Sequence, residues 1–272
     1  MFNLAIGVGL ILVFVAFISE YVDSTIGMGY GTILAPVLLI AGFEPLAVVP
    51  AILLSELLSG LLAGASHHVF GNVNFSMSSN RSIHKRKKFD DGSKRPRHLS
   101  VALVIAGFSA IGVIAAVLLA VRLPTIYLKI YIGSIVLLVG VAVILTRGHT
   151  FRFTWSKAIA LGTLAAFNKG MSGGGYGPVV TSGQMLAGIE GKSAIGITSL
   201  AEGLTCAVGL VIFVLMRDSI DWTLAPYLIA GALPSVPLSA YTVSRIRTDS
   251  LRTIVGIATT ALGTITLLRV LW

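Results

Sequence analysis

Apolar residues are arranged along this chain in long blocks, not in the every-second or every-third-or-fourth spacing of half-buried strands and helices. Ten blocks can be drawn, at about 3–22, 31–42, 46–70, 99–121 and 125–146, then at about 154–168, 177–188, 192–216, 224–244 and 250–271. Most approach the ~17–25 residues that a helix needs to cross a ~30 Å hydrocarbon core. The pattern predicts an all-α polytopic membrane protein. The blocks at 31–42 and 177–188 are exceptions, because a helix of about 12 residues rises only about 18 Å. Each is preceded by glycines and followed by a turn, Gly42-Phe43-Glu44-Pro45 or Gly188-Ile189-Glu190-Gly191. These two blocks read as glycine-broken half-helices or re-entrant hairpins. Irregular backbone at membrane depth is tolerated only where it is buried in protein or lines a cavity.

The short blocks are also where the chain repeats itself. Shifted by 146 residues, Gly27-Met28-Gly29-Tyr30-Gly31 falls on Gly173-Gly174-Gly175-Tyr176-Gly177 without a gap. The register continues through Ala41-Gly42-Phe43-Glu44 over Ala187-Gly188-Ile189-Glu190 and ends with Glu56 over Glu202. Ten of the 32 positions from Gly27 to Leu58 are identical, and they include glycines, a tyrosine and acids, not only the leucines common to membrane helices. Later blocks match in a shorter register. Ile105-Ala106-Gly107 resembles Ile229-Ala230-Gly231, and Lys129, Gly133 and Gly140 resemble Arg252, Gly256 and Gly263. The chain thus reads as two homologous repeats of about five segments each, 1–148 and 149–272. Pro234 and Pro237 have no prolines opposite them, which predicts a kink in that helix.

Charge orients the arrangement. The chain is 55% hydrophobic and 11% charged, against the ~25% charged of a soluble domain. Its net charge of +9 is local, since eight of the 20 Lys and Arg residues lie between Arg81 and Arg97. Such a run can bind nucleic acid or anionic lipid. In a chain this apolar it reads as a basic cytoplasmic loop, about 77–98, so the expected surroundings are a lipid bilayer and no nucleic acid. Arg147, Arg152 and Lys157 mark the junction of the repeats, and Arg245, Arg247 and Arg252 mark the last turn. Inverted repeats put all these clusters in the cytoplasm and the acidic turn with Asp218 and Asp221 outside. Parallel repeats would expose the last cluster. The N-terminus and the turn Arg122-Leu123-Pro124 are then expected outside. The first block lacks a basic flank and a cleavage site and reads as a membrane helix, not a signal peptide. The single cysteine, Cys206, excludes an intrachain disulfide and reads as a packing residue.

Candidate chemistry sits at the repeated positions. In Asn168-Lys169-Gly170-Met171-Ser172-Gly173-Gly174-Gly175-Tyr176-Gly177-Pro178, five glycines fall within eight residues. Glycine costs about 1 kcal/mol per helical position relative to alanine, so the helix must break there. Pro178 suits the first turn of the next helix. The unpaired N–H groups of a helix start, together with its dipole, favour an anion. The substrate-binding candidates are Gly27, Gly29, Tyr30 and Gly31 in the first repeat, and Asn168, Lys169, Gly173, Gly174, Gly175, Tyr176 and Gly177 in the second. Close packing through small residues is the other reading. The two tyrosines either lend hydroxyl donors or simply pack.

Four ionisable residues interrupt apolar sequence: Asp23, its register partner Lys169, and Glu56 and Glu202. Intramembrane ionisable groups are costly and point to function. Lys169 would meet an anion, and Asp23 would carry a proton or pair with Lys169. Snorkelling to an interface is the alternative for both. Glu56 and Glu202 have no basic residue within a turn. They read as coupling groups, or as packing residues hydrogen-bonded to Ser55, Ser59, Thr198 or Thr205. His67 and His68 end a segment, where an interfacial position is expected. No ligand spacing predicts a metal site, no cofactor or catalytic constellation is expected, and no Gly-Lys-Ser/Thr phosphate loop is present.

These motifs carry a resemblance. Asp23-Ser24-Thr25-Ile26-Gly27-Met28-Gly29-Tyr30-Gly31, its partner Gly173-Gly174-Gly175-Tyr176-Gly177-Pro178, and Glu56 and Glu202 resemble the sulfite exporter TauE/SafE family, also called the toluene-sulfonate uptake permeases. The resemblance covers nearly the whole chain. It implies a bacterial inner-membrane secondary transporter for a small anion, sulfite or an organosulfonate or other organosulfur anion, working by alternating access. Protons or another coupling ion would act through Asp23, Glu56 and Glu202. The basic insertion at 77–98 departs from the compact members, which affects loop topology and not the core. Three alternatives stay open: a metal or other cation transporter using Asp23, Glu56 and Glu202, an integral membrane enzyme, and a noncatalytic membrane partner for another protein.

Overall fold

The computed structural model describes residues 6–43, 45–76, 98–120, 154–172, 176–215 and 220–271, with scattered positions between 130 and 145. Most of the segment expected at 125–146, the basic loop, and Gly173, Gly174 and Gly175 lie outside the described residues, and Asn168 and Gly170 are described by backbone alone. The elements are α1 (Ile6–Ile26), α2 (Tyr30–Ile40), α3 (Pro45–Val69), α4 (His98–Ala120), α5 (Trp155–Ser172), α6 (Tyr176–Leu186), α7 (Gly191–Leu215), α8 (Ala225–Arg245) and α9 (Thr248–Leu271). Among the described residues there is no strand. Within α1, α3, α4 and α7, stretches are long and apolar enough to cross a membrane. Large apolar side chains such as Ile11, Phe14, Leu103, Ile111 and Val211 stand exposed on these helices, as lipid-facing surfaces do.

The short helices have the expected length, 11 residues each. Both stop the same way. Gly42 and Gly188 take φ of 91° and 96°. The N–H groups of Phe43 and Ile189 reach back to Leu38 O and Gln184 O at 3.1 and 2.9 Å. This is the six-to-one bond of a Schellman cap, which glycine permits because it has no Cβ. Between α1 and α2 the backbone breaks at Gly27 and Gly29, with φ of 76° and 137°.

Packing sorts the helices into two groups. Leu12, Ala16, Tyr30, Leu34, Ala51, Leu228 and Ala232 build one core, from α1, α2, α3 and α8. Val101, Ile105, Ala165, Tyr176, Val179 and Ile197 build the other, from α4, α5, α6 and α7. Each group takes three helices from one repeat and its fourth from the other, so the packing units are not the sequence halves. Within the groups the exchanged helix runs parallel to its main partner. Gly9 packs on Tyr227, Ala16 on Gly231, and the Tyr21 hydroxyl meets Thr242 Oγ1 at 2.9 Å.

Helices α3 and α7, the third of each repeat, cross where the two groups meet. They run antiparallel: Leu53 faces Gly209, Gly60 faces Ser199 and Gly203, Gly64 faces Leu200, and His67 faces Gly196. A Cβ added to Gly60 would stand 2.7 Å from Ser199 O and 2.8 Å from Gly203 Cα. Small residues are what let membrane helices approach this closely. The proline-bearing helix α8 runs as one element through Pro234 and Pro237. In the turn before it, Asp221 Oδ1 accepts the Thr223 hydroxyl at 2.5 Å and the Thr223 N–H at 2.9 Å. These donors hold the Asp221 carboxyl below its ordinary range, so the turn keeps its negative charge.

Candidate functional site

The α3–α7 crossing decides which charged groups meet. Gly60 lies one turn beyond Glu56 on α3, and Gly203 directly follows Glu202 on α7. The glycine contact therefore sets the two carboxylates at one level. Between them comes Lys169, from the last turn of α5. Its Nζ lies 2.6 Å from Glu56 Oε2 and 2.5 Å from Glu202 Oε1, with all three side chains buried. The ammonium also stands 5.7 Å from the centre of the Tyr176 ring, within cation–π range. Cys206 donates its thiol to Glu56 Oε2 at 3.4 Å, so it serves the site as well as packing. The Lys169–Glu56 bond joins the two helix groups, whereas the Lys169–Glu202 bond lies within one.

A small cavity opens beside this cluster. It is lined by Glu20 and Asp23 of α1, Glu56, Ser59 and Gly60 of α3, and Ser199 and Glu202 of α7. Both helix groups contribute to it, so it sits at their junction. It has room for about one water molecule.

The structure sorts the sequence candidates by partner. Glu56 and Glu202 are not lone carboxylates; they share Lys169, an amine too distant in sequence for helical spacing to reveal. Asp23 does not bond to Lys169. Its Oδ1 accepts the Tyr30 N–H at 3.2 Å and so caps α2 with an internal anion. Neither Asp23 nor Lys169 snorkels: both are buried, at 7% and 3% exposure. Tyr30 and Tyr176 are fully buried, with their hydroxyls 2.7 Å from Ser55 Oγ and 3.1 Å from Ser109 Oγ. The start of α6 touches the break of the first repeat. A Cβ on Gly177 would collide with Gly27 O and Met28 Cα, and the Thr181 hydroxyl donates to Gly27 O at 2.7 Å. Gly29 lies against Ile33 and Val22, and Gly31 is buried in the first turn of α2.

One residue, Glu20, escaped the sequence reading. Glu20 is buried at the cavity, its oxygens accepting the hydroxyls of Ser24 at 2.6 Å and Ser59 at 3.0 Å. The signal was there, since Glu20 and Asp23 share one face of α1 at i, i+3 spacing. His67, expected at an interface, is fully buried in the protein. Its Nε2 lies 3.0 Å from Ser24 O and its Nδ1 3.0 Å from Asn72 Nδ2, while Asn72 also donates to Ala240 O at 2.8 Å. These bonds tie the ends of α1, α3 and α8 together. Among the described residues no group of three or more His, Cys, Asp or Glu side chains is arranged to hold a metal.

Long apolar helices enclosing a buried, charge-paired cavity at the junction of two helix groups define a polytopic integral membrane protein with the interior of a transporter. A sequence profile of the sulfite exporter TauE/SafE family matches residues 86–265, and the chain belongs to that family of membrane transporters. It is also similar to the probable membrane transporter protein YtnM of Bacillus subtilis (strain 168). That protein is 24% identical over 260 residues, an alignment covering 91% of this chain and 78% of the relative.

Proposed function

We propose that this membrane transporter carries a small oxyanion, sulfite or an organosulfonate or related organosulfur anion, across a bacterial inner membrane by ion-coupled alternating access. One observation carries the reading: a buried ammonium, Lys169, is held by two carboxylates from equivalent repeat positions, close to Tyr176 at the start of α6. The carboxylates and a substrate anion are alternative partners for that ammonium. An arriving oxyanion displaces Glu56 or Glu202, and the displaced carboxylate, buried and unpaired, takes a proton. Anion and proton binding are thereby linked. Release of the Lys169–Glu56 bond also frees one helix group to rock against the other around the site.

The backbone cradle is assigned to the second repeat. At the first break Asp23 already occupies the Tyr30 N–H. At the register position of Asp23 the second repeat carries Lys169, so Gly173 to Gly177, with Asn168 and Tyr176, form the electropositive member of the pair. Gly27, Gly29, Tyr30 and Gly31 complete the proposed substrate-binding set from the first repeat. The antiparallel course of α3 and α7 and the exchange of fourth helices support inverted repeats of 1–148 and 149–272, and the distribution of Lys and Arg supports an N-terminus outside.

The acidic lining favours a second reading, a cation transporter whose ligands include Asp23, Glu56 and Glu202. Reconstitution in liposomes separates the two. Sulfite, methanesulfonate, sulfate and divalent metal ions are offered with and without a pH gradient. Gradient-dependent movement of the sulfur oxyanions supports the first reading, and metal movement alone supports the second.

A further inference from the structure

We propose that Glu20 is the carboxylate through which protons enter and leave the cavity, an inference that rests on reading Lys169 as the anion's partner. Four carboxylates face the cavity, and their partners tell them apart. Glu56 and Glu202 are bound to an ammonium. The partner of Asp23 is a backbone N–H, which donates and cannot accept the bond of a protonated carboxyl. Both oxygens of Glu20 meet hydroxyls instead, Ser24 Oγ at 2.6 Å and Ser59 Oγ at 3.0 Å. A hydroxyl donates to a carboxylate and accepts from a carboxylic acid. Glu20 therefore gains or loses a proton with no more than a hydroxyl rotation, and both of its own oxygens keep a partner in either state.

Its surroundings fit the task. Glu20 is buried on α1 and lines the same cavity as the ion cluster. The charged groups facing it are Asp23 from its own helix, Glu56 from α3 and Glu202 from α7, with Lys169 of α5 between the last two. Helix α8, packed along α1, adds no charged group to the lining. The transfer balances simply. A proton from water forms an O–H bond on Glu20. When an oxyanion takes Lys169 from Glu56 or Glu202, that proton passes through the cavity water to the freed carboxylate, and Glu20 returns to its anionic form.

The test uses the full chain in proteoliposomes with sulfite as the probe, comparing the parent with Glu20→Gln. Sulfite affinity by calorimetry should stay within about threefold of the parent. Proton uptake on sulfite binding should persist at equilibrium, while pH-gradient-driven flux should fall by about tenfold or more. Glu20→Asp keeps an exchangeable proton but draws it back from Ser59, and should recover part of the flux. Where Glu20→Gln is not recovered folded, Glu20→Asp and Ser59→Ala carry the same comparison, both slowing flux at unchanged affinity. Parent-like flux in the Glu20 variants overturns the proposal. So does a flux loss explained by weaker sulfite binding. Absence of sulfite-linked proton uptake in the parent overturns the Lys169 reading itself, and this inference with it.

Discussion

Glu56 of α3 and Glu202 of α7 meet at one ammonium, that of Lys169, at 2.6 and 2.5 Å. They are the same position of the repeat, brought face to face by an antiparallel crossing. An amine held by two carboxylates can exchange one of them for another anion without being stripped of negative partners. That property suits an element with two arrangements of similar energy, on which switching depends.

Removing the amine should be costly in a particular way. Lys169→Met leaves two buried carboxylates without compensation, and breaking a buried pair from one side costs about 3–5 kcal/mol. The thermal unfolding midpoint in detergent should fall sharply. Adding Glu56→Gln and Glu202→Gln to Lys169→Met removes the uncompensated charge and should restore most of the midpoint, yet sulfite binding should remain absent. A triple variant that binds sulfite like the parent would remove Lys169 from the substrate site.

Substituting the acids alone should separate binding from coupling. Glu56→Gln and Glu202→Gln keep size and hydrogen-bonding capacity but exchange no proton. Each should bind sulfite at least as well as the parent, since Lys169 is held less firmly, and the variant of the carboxylate that sulfite displaces should lose accumulation driven by a pH gradient. Calorimetry and vesicle uptake read the two effects independently. A purely structural carboxylate would lower folded yield instead.

The α3–α7 crossing offers a steric prediction. Gly60→Ala places a Cβ against Ser199 O and Gly203 Cα, at 2.7 and 2.8 Å in the present arrangement. Backbone atoms cannot rotate out of the way, so the helices must separate, and overpacking of this kind costs about 1–3 kcal/mol. Stability and transport should both drop. Gly107→Ala on α4 meets nothing within 4 Å and should leave both unchanged. Equal behaviour of the two variants would show that the crossing tolerates separation.

Much of this site was legible from sequence, for a definable reason. The repeat singled out Glu56, Glu202, Tyr30, Tyr176 and the glycines because duplication left them at matching positions. The lengths and glycine stops of α2 and α6 followed from the same register. The pairing of Glu56 with Lys169 was not legible, because it joins residues far apart in sequence across a helix crossing. Glu20 was missed because its register partner is Ala166, so a search for repeated chemistry passes over it. His67 reads as a helix-end residue until Ser24, Asn72 and Ala240 close around it from elsewhere in the chain. The exchange of fourth helices between groups has no local sequence signal at all.

Orientation can be tested by labelling. In a Cys206→Ser background, cysteines at Ser93 and Thr248 should react with an impermeant reagent only from the cytoplasm, and one at Ser219 only from outside. The distribution of Lys and Arg requires this if the repeats are inverted. Labelling of the Thr248 position from outside would contradict the inverted arrangement.

The most direct test of the account is sulfite accumulation by the purified chain in proteoliposomes under an imposed pH gradient. The account predicts that the vesicles concentrate sulfite while the gradient lasts, and that a protonophore abolishes the effect. Vesicles that move neither sulfite nor any sulfonate in response to the gradient, yet take up divalent cations, would contradict it.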